Sequence, residues 1–231
     1  DLGLNSDRVI TFSVSPELSG YTAERSGIFF DRLTQELAAV PGVTAVSSAM
    51  VGLLTGDNWG SDVNVEGFKK DADTDDNSRF NEIGPGYFGL LQIPLIAGRE
   101  FSAADASGAP KVAVVNEAFA KKFVLGRDAV GKRMSTGDST LDLEIVGLVR
   151  NAKYSEVKDE IPPVFFTPYR QDTTVGSINF YVRTAVDPEA ILGAVPKVVA
   201  NIDPNLPVEN LKSLPQQVKD NFFLDRTIST L

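Results

Sequence analysis

Chemistry in this chain has to come from carboxylates, hydroxyls and amines. Thirty-one Asp and Glu residues stand beside 22 Lys and Arg, and neither His nor Cys occurs among the 231 residues. Without imidazole there is no Ser-His or Cys-His dyad, and the commonest transition-metal ligand is missing. Without thiols there are no disulfides and no zinc–thiolate sites. Paired acids could hydrolyse glycosides, but their separation is a three-dimensional property that the sequence does not give.

Four local patterns invite a reading. Asp71, Asp73, Asp75, Asn77, Arg79 and Glu82 occupy positions 1, 3, 5, 7, 9 and 12 of a calcium-binding EF-hand loop. Asp76 stands where the loop requires Gly, and no amphipathic helices flank it, so a solvated acidic loop is expected. Gly126 to Arg133 reads G-x-x-x-x-G-K, yet Arg133 replaces the Ser or Thr that would hold magnesium, and the segment follows a helical pattern. A glycine turn is the expectation. Ser155 and Lys158 have the S-x-x-K spacing of a serine acyltransferase without its companion motifs. The neighbours Glu156, Asp159 and Glu160 make surroundings opposite to those a general-base lysine needs. Trp59, the only Trp, sits in a Gly-rich stretch and is expected to cap a core rather than meet a partner. No catalytic, cofactor-binding or metal-binding residue is therefore assigned.

The elements that would carry such residues follow from hydrophobic periodicity. Residues 9–14 are β-branched and aromatic and read as a strand. From Thr22 to Ala39 the positions Ile28, Phe29, Leu33, Leu37 and Val40 give an amphipathic helix that Pro41-Gly42 ends. A strand over Val43 to Met50 completes a β-α-β unit. The order returns near the C-terminus: a strand at Ile178 to Arg183, a helix begun by Asp187-Pro188, and a strand at Leu206 to Leu211. Pro196 is expected to kink that helix. Two such units fold together as a split βαβ, or ferredoxin-like, sandwich. The expectation is an α+β chain in which residues 1–61 and 173–231 form a discontinuous βαβ unit and 62–172 form an inserted β-rich unit. The insert has candidate strands at 62–65, 79–83, 112–115, 143–149 and 164–167. It has one helix at 116–124, with Phe119 and Phe123 on its buried face. A final helix starts at Pro215.

With 42% hydrophobic and 23% charged residues, the composition is ordinary for a folded soluble protein. The net charge of −9 argues against a nucleic-acid surface. No run reaches the roughly 18–20 apolar residues of a membrane span. The opening at Asp1 without Met reads as the start of an excised segment.

The stretch 84–123 carries a resemblance. Gly86-Tyr87-Phe88, then Ile93 to Phe101 (IPLIAGREF), Asp105, and Lys111 to Ala120 (KVAVVNEAFA) are similar to the periplasmic core domain of MacB- and FtsX-like ABC transporter permeases. Gly126, the Gly131-Lys132-Arg133 turn, Ile145 to Val149 and the P-x-F-x-P-like segment Pro163 to Pro168 extend the similarity. The resemblance implies a porter-like βαβ unit with an inserted lobe, lying outside the cytoplasm between the first two membrane helices of a permease. It implies a domain without chemistry or cofactors, which passes motion from a separate ABC ATPase during efflux or export of an antibiotic, peptide or lipoprotein. Implied partners are the flanking membrane helices, the ATPase, a second permease copy, and in some members a periplasmic adaptor and outer-membrane channel. The implied site of the parent is the inner membrane, with this domain periplasmic and the second membrane helix beginning over 224–231. Alternative functions are a carboxylate-based hydrolase and a stand-alone solute-binding protein. The first requires two acids converging in a deep pocket, and the second an interdomain cleft.

Overall fold

A computed structural model describes residues 1–137 and 140–228. It is a mixed α+β fold with eleven strands among the described residues, ten of them on one continuous hydrogen-bonded path. The first and last parts of the chain interleave. β1 (Val9–Val14), β2 (Val43–Ala49), β10 (Ile178–Thr184) and β11 (Glu209–Ser213) lie in the order β11-β1-β10-β2, each neighbouring pair antiparallel. The two crossover connections, each passing over one intervening strand, carry α1 (Ala23–Ala38) and the pair α4 (Pro188–Leu192) and α5 (Ala194–Ile202).

Alternation along the strands decides which face the helices cover. Ile10, Phe12 and Val14 share a core with Ile178, Phe180 and Val182, with Phe29, Phe30, Leu33 and Leu37 of α1, and with Val195 and Val199 of α5. The rings of Phe12 and Phe180 stack at 5.3 Å. Thr22 starts α1 by accepting the N–H of Arg25 at 3.1 Å, and Asp187 starts α4 by accepting that of Glu189. Ile28, expected on the buried face, is 65% exposed. It lies beside Phe29 and Phe30, and only the latter two fall within the stripe that meets the sheet.

The opposite face of these strands packs on a second core with α2 (Tyr87–Leu91), whose Tyr87, Phe88, Leu90 and Leu91 are all buried. Arg183 on that face donates to the carbonyl of Leu90 at 2.6 Å, and to those of Asp7 and Asn5. The same core takes in Val112 and Val114, Val164 and Phe166 from the middle of the chain.

Six strands of that middle region close on themselves. β3 (Gly60–Val65), β4 (Asn77–Ile83), β6 (Val112–Asn116), β7 (Arg133–Thr136), β8 (Leu143–Val149) and β9 (Val164–Pro168) run in the order β4-β3-β7-β8-β6-β9, and β9 pairs back with β4. All six contribute to a third core, which Phe119 of α3 (Glu117–Lys122) and Phe123, the residue that follows the helix, enter with ring centroids 4.5 Å apart. β6 is buried on both faces, one in each core, which explains its unbroken apolar run. The short β5 (Leu95–Gly98) lies off this path, against β8. The ring meets the interleaved strands through a single ladder pair, Ala49 with Ile83.

Several expectations shift. The last strand sits at Glu209–Ser213 rather than Leu206 to Leu211, and Leu206 is buried just before it. The C-terminal helix breaks at Gly193, three residues ahead of Pro196. A proline lacks the N–H that would bond the carbonyl four residues back, so the break precedes it. α2, β5 and β7 were not expected; each is five residues or shorter. The closing helix α6 spans Leu214–Ile228. The expected start of a membrane helix over 224–231 falls largely outside the described residues. Among the described residues no helix is long and apolar enough to cross a membrane.

Candidate functional site

The stretch 84–123 is organised around one close backbone approach. Gly98 adopts φ +75°, and a Cβ there would stand 2.0 Å from the carbonyl oxygen of Val146. A Cβ on Gly147 would meet the carbonyl of Arg99 at 2.4 Å, so both glycines permit one close backbone approach. Arg99 then grips Asp105 with two parallel bonds of 2.8 and 3.0 Å. The Asp105 carboxylate, 6% exposed, also accepts the N–H of Ser102. Bonding to Arg99, opposed by burial and aided by the Ser102 N–H, lowers its pKa. Asn116 caps α3 by accepting the N–H of Phe119, accepts that of Val164, and donates to Pro162. The Gly-Arg-Glu-Phe and Asn-Glu motifs thus hold backbone segments in place.

The structure scatters the patterns that suggested chemistry. In the acidic loop Asp71 accepts from Asp73 and Thr74, Asp75 pairs with Lys122 and Asp76 with Lys70, while Glu82 lies away on β4. No group of three acids among the described residues could hold a metal. Millimolar calcium should therefore leave the melting temperature unchanged in a thermal scan. Gly126–Ala129 is a single 3-10 turn between α3 and β7, as a glycine turn requires. Ser155 is buried, and its carbonyl is bonded by Gly56 and Asn221. Trp59, expected in a core, is 53% exposed and rests edge-on against Phe80, because its loop lies over the rim of the ring.

Val124 ends α3 in the left-handed conformation, φ +56°, and is 81% exposed. A β-branched residue there costs about 1–2 kcal/mol. Val124→Gly should raise the melting temperature by about 3 °C.

Two acids from distant parts of the chain meet at the link between ring and interleaved strands. Tyr169 to Asp172 carries the chain from β9 towards β10 and is held on both sides. Arg170 pairs with Asp31 of α1 at 2.7 Å, and the Tyr169 hydroxyl donates to the same carboxylate. Gln171 donates to Pro110 and accepts from Val112 at the start of β6. Asp172 faces Glu82 of β4. No N–H reaches Glu82 Oε2, which is shielded from solvent. Two carboxylates this close disfavour each other's charge, and the deeper burial of Glu82 favours the proton there rather than on Asp172. Burial first, then Asp172, pushes the Glu82 pKa up to about 8. Asp172 is held low: burial raises it, and bonds from Glu82 and Thr174 outweigh that.

Both acids line a cavity of about 300 Å³ at one end of the ring, with Phe80, Phe165 and Thr167. Their contact leaves none of the separation of about 5 Å or more that glycoside hydrolysis needs. A second, open groove of about 530 Å³ lies between α1 and residues 106–107, with Tyr169 and Arg170 at its base. The sequence did not single out Glu82 and Asp172 as a pair, since they lie 90 residues apart. The available signal was Phe80-x-Glu82, an acid on the same strand face as an aromatic.

Comparison with known proteins follows this geometry. A profile of the family described as MacB-like periplasmic core domain matches residues 3–198. Among curated proteins none matches. The periplasmic region of MacB from Actinobacillus actinomycetemcomitans superposes with TM-score 0.57 at 12% identity, covering 99% of this chain and 95% of that one. A domain of a putative permease protein from Porphyromonas gingivalis gives 0.54 at 17%, covering 90% and 91%. The extracellular domain of the noncanonic ABC-type transporter YknZ from Gram-positive bacteria gives 0.52 at 16%, covering 84% and 91%. The profile match spans most of the chain, from before β1 into α5, and includes every strand of the closed ring. The chain belongs to the MacB-like periplasmic core domain family.

Proposed function

We propose that the chain is a non-catalytic extracytoplasmic domain of an ABC transporter permease, passing ATP-driven motion across the membrane during export of an antibiotic, peptide or lipoprotein. The observation that carries this reading is the family match over residues 3–198. In this reading 1–61 and 173–231 make a porter-like, ferredoxin-like βαβ unit, supported by the strand order β11-β1-β10-β2 under α1 and α5. Residues 62–172 make the inserted unit, supported by the closed ring. The doubly clamped link Tyr169 to Asp172, together with the core that both share around α2, keeps the two moving as one body. ATP is hydrolysed elsewhere, by a cytoplasmic ATPase. The partners are the membrane helices of the same chain, a second permease copy and, in complexes that use them, an adaptor and outer-membrane channel. The contact between Glu82 and Asp172 weighs against the hydrolase reading, and the exposed α1 groove against the enclosed cleft of a solute-binding protein. To test location, Leu18, which is 81% exposed, is replaced by Cys in the full-length parent. A membrane-impermeant maleimide should label intact cells; labelling only after lysis overturns the reading.

A further inference from the structure

We propose that the groove beside β5 is a docking site for an extended acidic polypeptide segment. β5 pairs with β8 alone among the described residues, so its outer edge presents unpaired backbone groups. The register slips at Ile96, which lines a groove of about 500 Å³ between β5, α3 and the 126–129 turn. Ile96, Ala120 and Leu148 supply its apolar surface, and Lys121, Arg127 and Arg150 its charged rim.

Those three cations set the occupant's chemistry. Some cations of the chain are held by carboxylates, as in Arg32–Glu36, Lys70–Asp76, Arg99–Asp105, Lys122–Asp75 and Arg170–Asp31. No carboxylate pairs with Lys121, Arg127 or Arg150 among the described residues, in a chain whose net charge is −9. Glu117, the one acid in the groove, already accepts the N–H of Asn151 at 3.0 Å. An acidic segment added along β5 would satisfy backbone and charge together. Two copies joined through this edge would oppose like charges, which disfavours self-pairing. A polyphosphate has no backbone amides to pair with an open strand edge, whereas an extended polypeptide has. The site rests on the groove's own chemistry and does not depend on the permease reading.

The test titrates this chain into a fluorescein-labelled Glu-Val-Glu-Val-Glu-Val peptide and reads anisotropy. Saturable binding is expected, at least tenfold weaker for Lys121→Glu/Arg127→Glu/Arg150→Glu, with slowed amide exchange at residues 95–98 in the complex. The Lys-Val counterpart peptide should not bind. Should the triple variant misfold by circular dichroism, single Arg150→Glu should still weaken binding about threefold. Binding that charge reversal leaves within twofold overturns the proposal. So does capture of the chain by phosphatidylglycerol vesicles without peptide binding, or self-association that charge reversal abolishes.

Discussion

Gly98→Ala should be the most damaging single-methyl change in this chain, costing about 3 kcal/mol or more. Two terms add. An L-residue at φ +75° costs about 1–2 kcal/mol. The new methyl carbon would also stand 2.0 Å from the carbonyl oxygen of Val146, and that neighbour is backbone, so β5 must separate from β8. Arg99 follows Gly98 directly, so the separation also disturbs its fork with Asp105. With a urea slope of about 2 kcal/mol per molar, the unfolding midpoint falls by about 1.5 M. Gly20 is the control. Its φ is +86° but nothing lies within 4 Å of its Cβ position, so Gly20→Ala should lose only the conformational part. Equal losses at the two positions would contradict the packing account.

The second large effect depends on pH. Glu82 has a folded-state pKa raised to about 8 from an ordinary 4.5, so between those values the folded chain holds a proton that the unfolded chain has released. Stability therefore falls as pH rises through this interval, at up to about 1.4 kcal/mol per pH unit for one proton. Allowing for partial solvation of the cavity, the loss between pH 5 and pH 9 should be about 2–3 kcal/mol. Glu82→Gln keeps a donor towards Asp172 and removes the titration. It should match the wild type near pH 5, exceed it at pH 9, and flatten the decline in urea midpoints across the range. A variant that keeps the wild-type slope would show that Glu82 does not hold this proton.

Much of the architecture was legible because local signals agreed with the fold. The β-branched and aromatic residues of Val9–Val14, the alternation in Ile178–Thr184, the Asp187 cap and the apolar run Val112–Val115 each point to one structure. The last strand was misplaced because Leu206 and Val208 look strand-like, while Glu209–Ser213, which pairs with β1, carries one apolar residue. Trp59 was misread because burial of a lone aromatic depends on where its loop lands, which no local pattern encodes. The 84–123 stretch was recognisable, but not its reason. Gly98 and Gly147 matter through each other's backbone, 49 residues apart. The Glu82–Asp172 pair was invisible for the same cause, since two strand-end acids signify nothing until the ring closes and the link folds across them.

The most direct test of the mechanical account is a distance measured through the transport cycle. Leu18→Cys in the full-length permease, otherwise free of reactive thiols, carries one spin label per chain, and the permease is reconstituted with its ATPase. The label-to-label distance between the two copies is read by electron–electron dipolar spectroscopy with ATP trapped and with ADP. Transmission of motion predicts distributions that shift by several ångströms between the two states. Distributions that coincide in both states, while ATP is hydrolysed and substrate is exported, would contradict it.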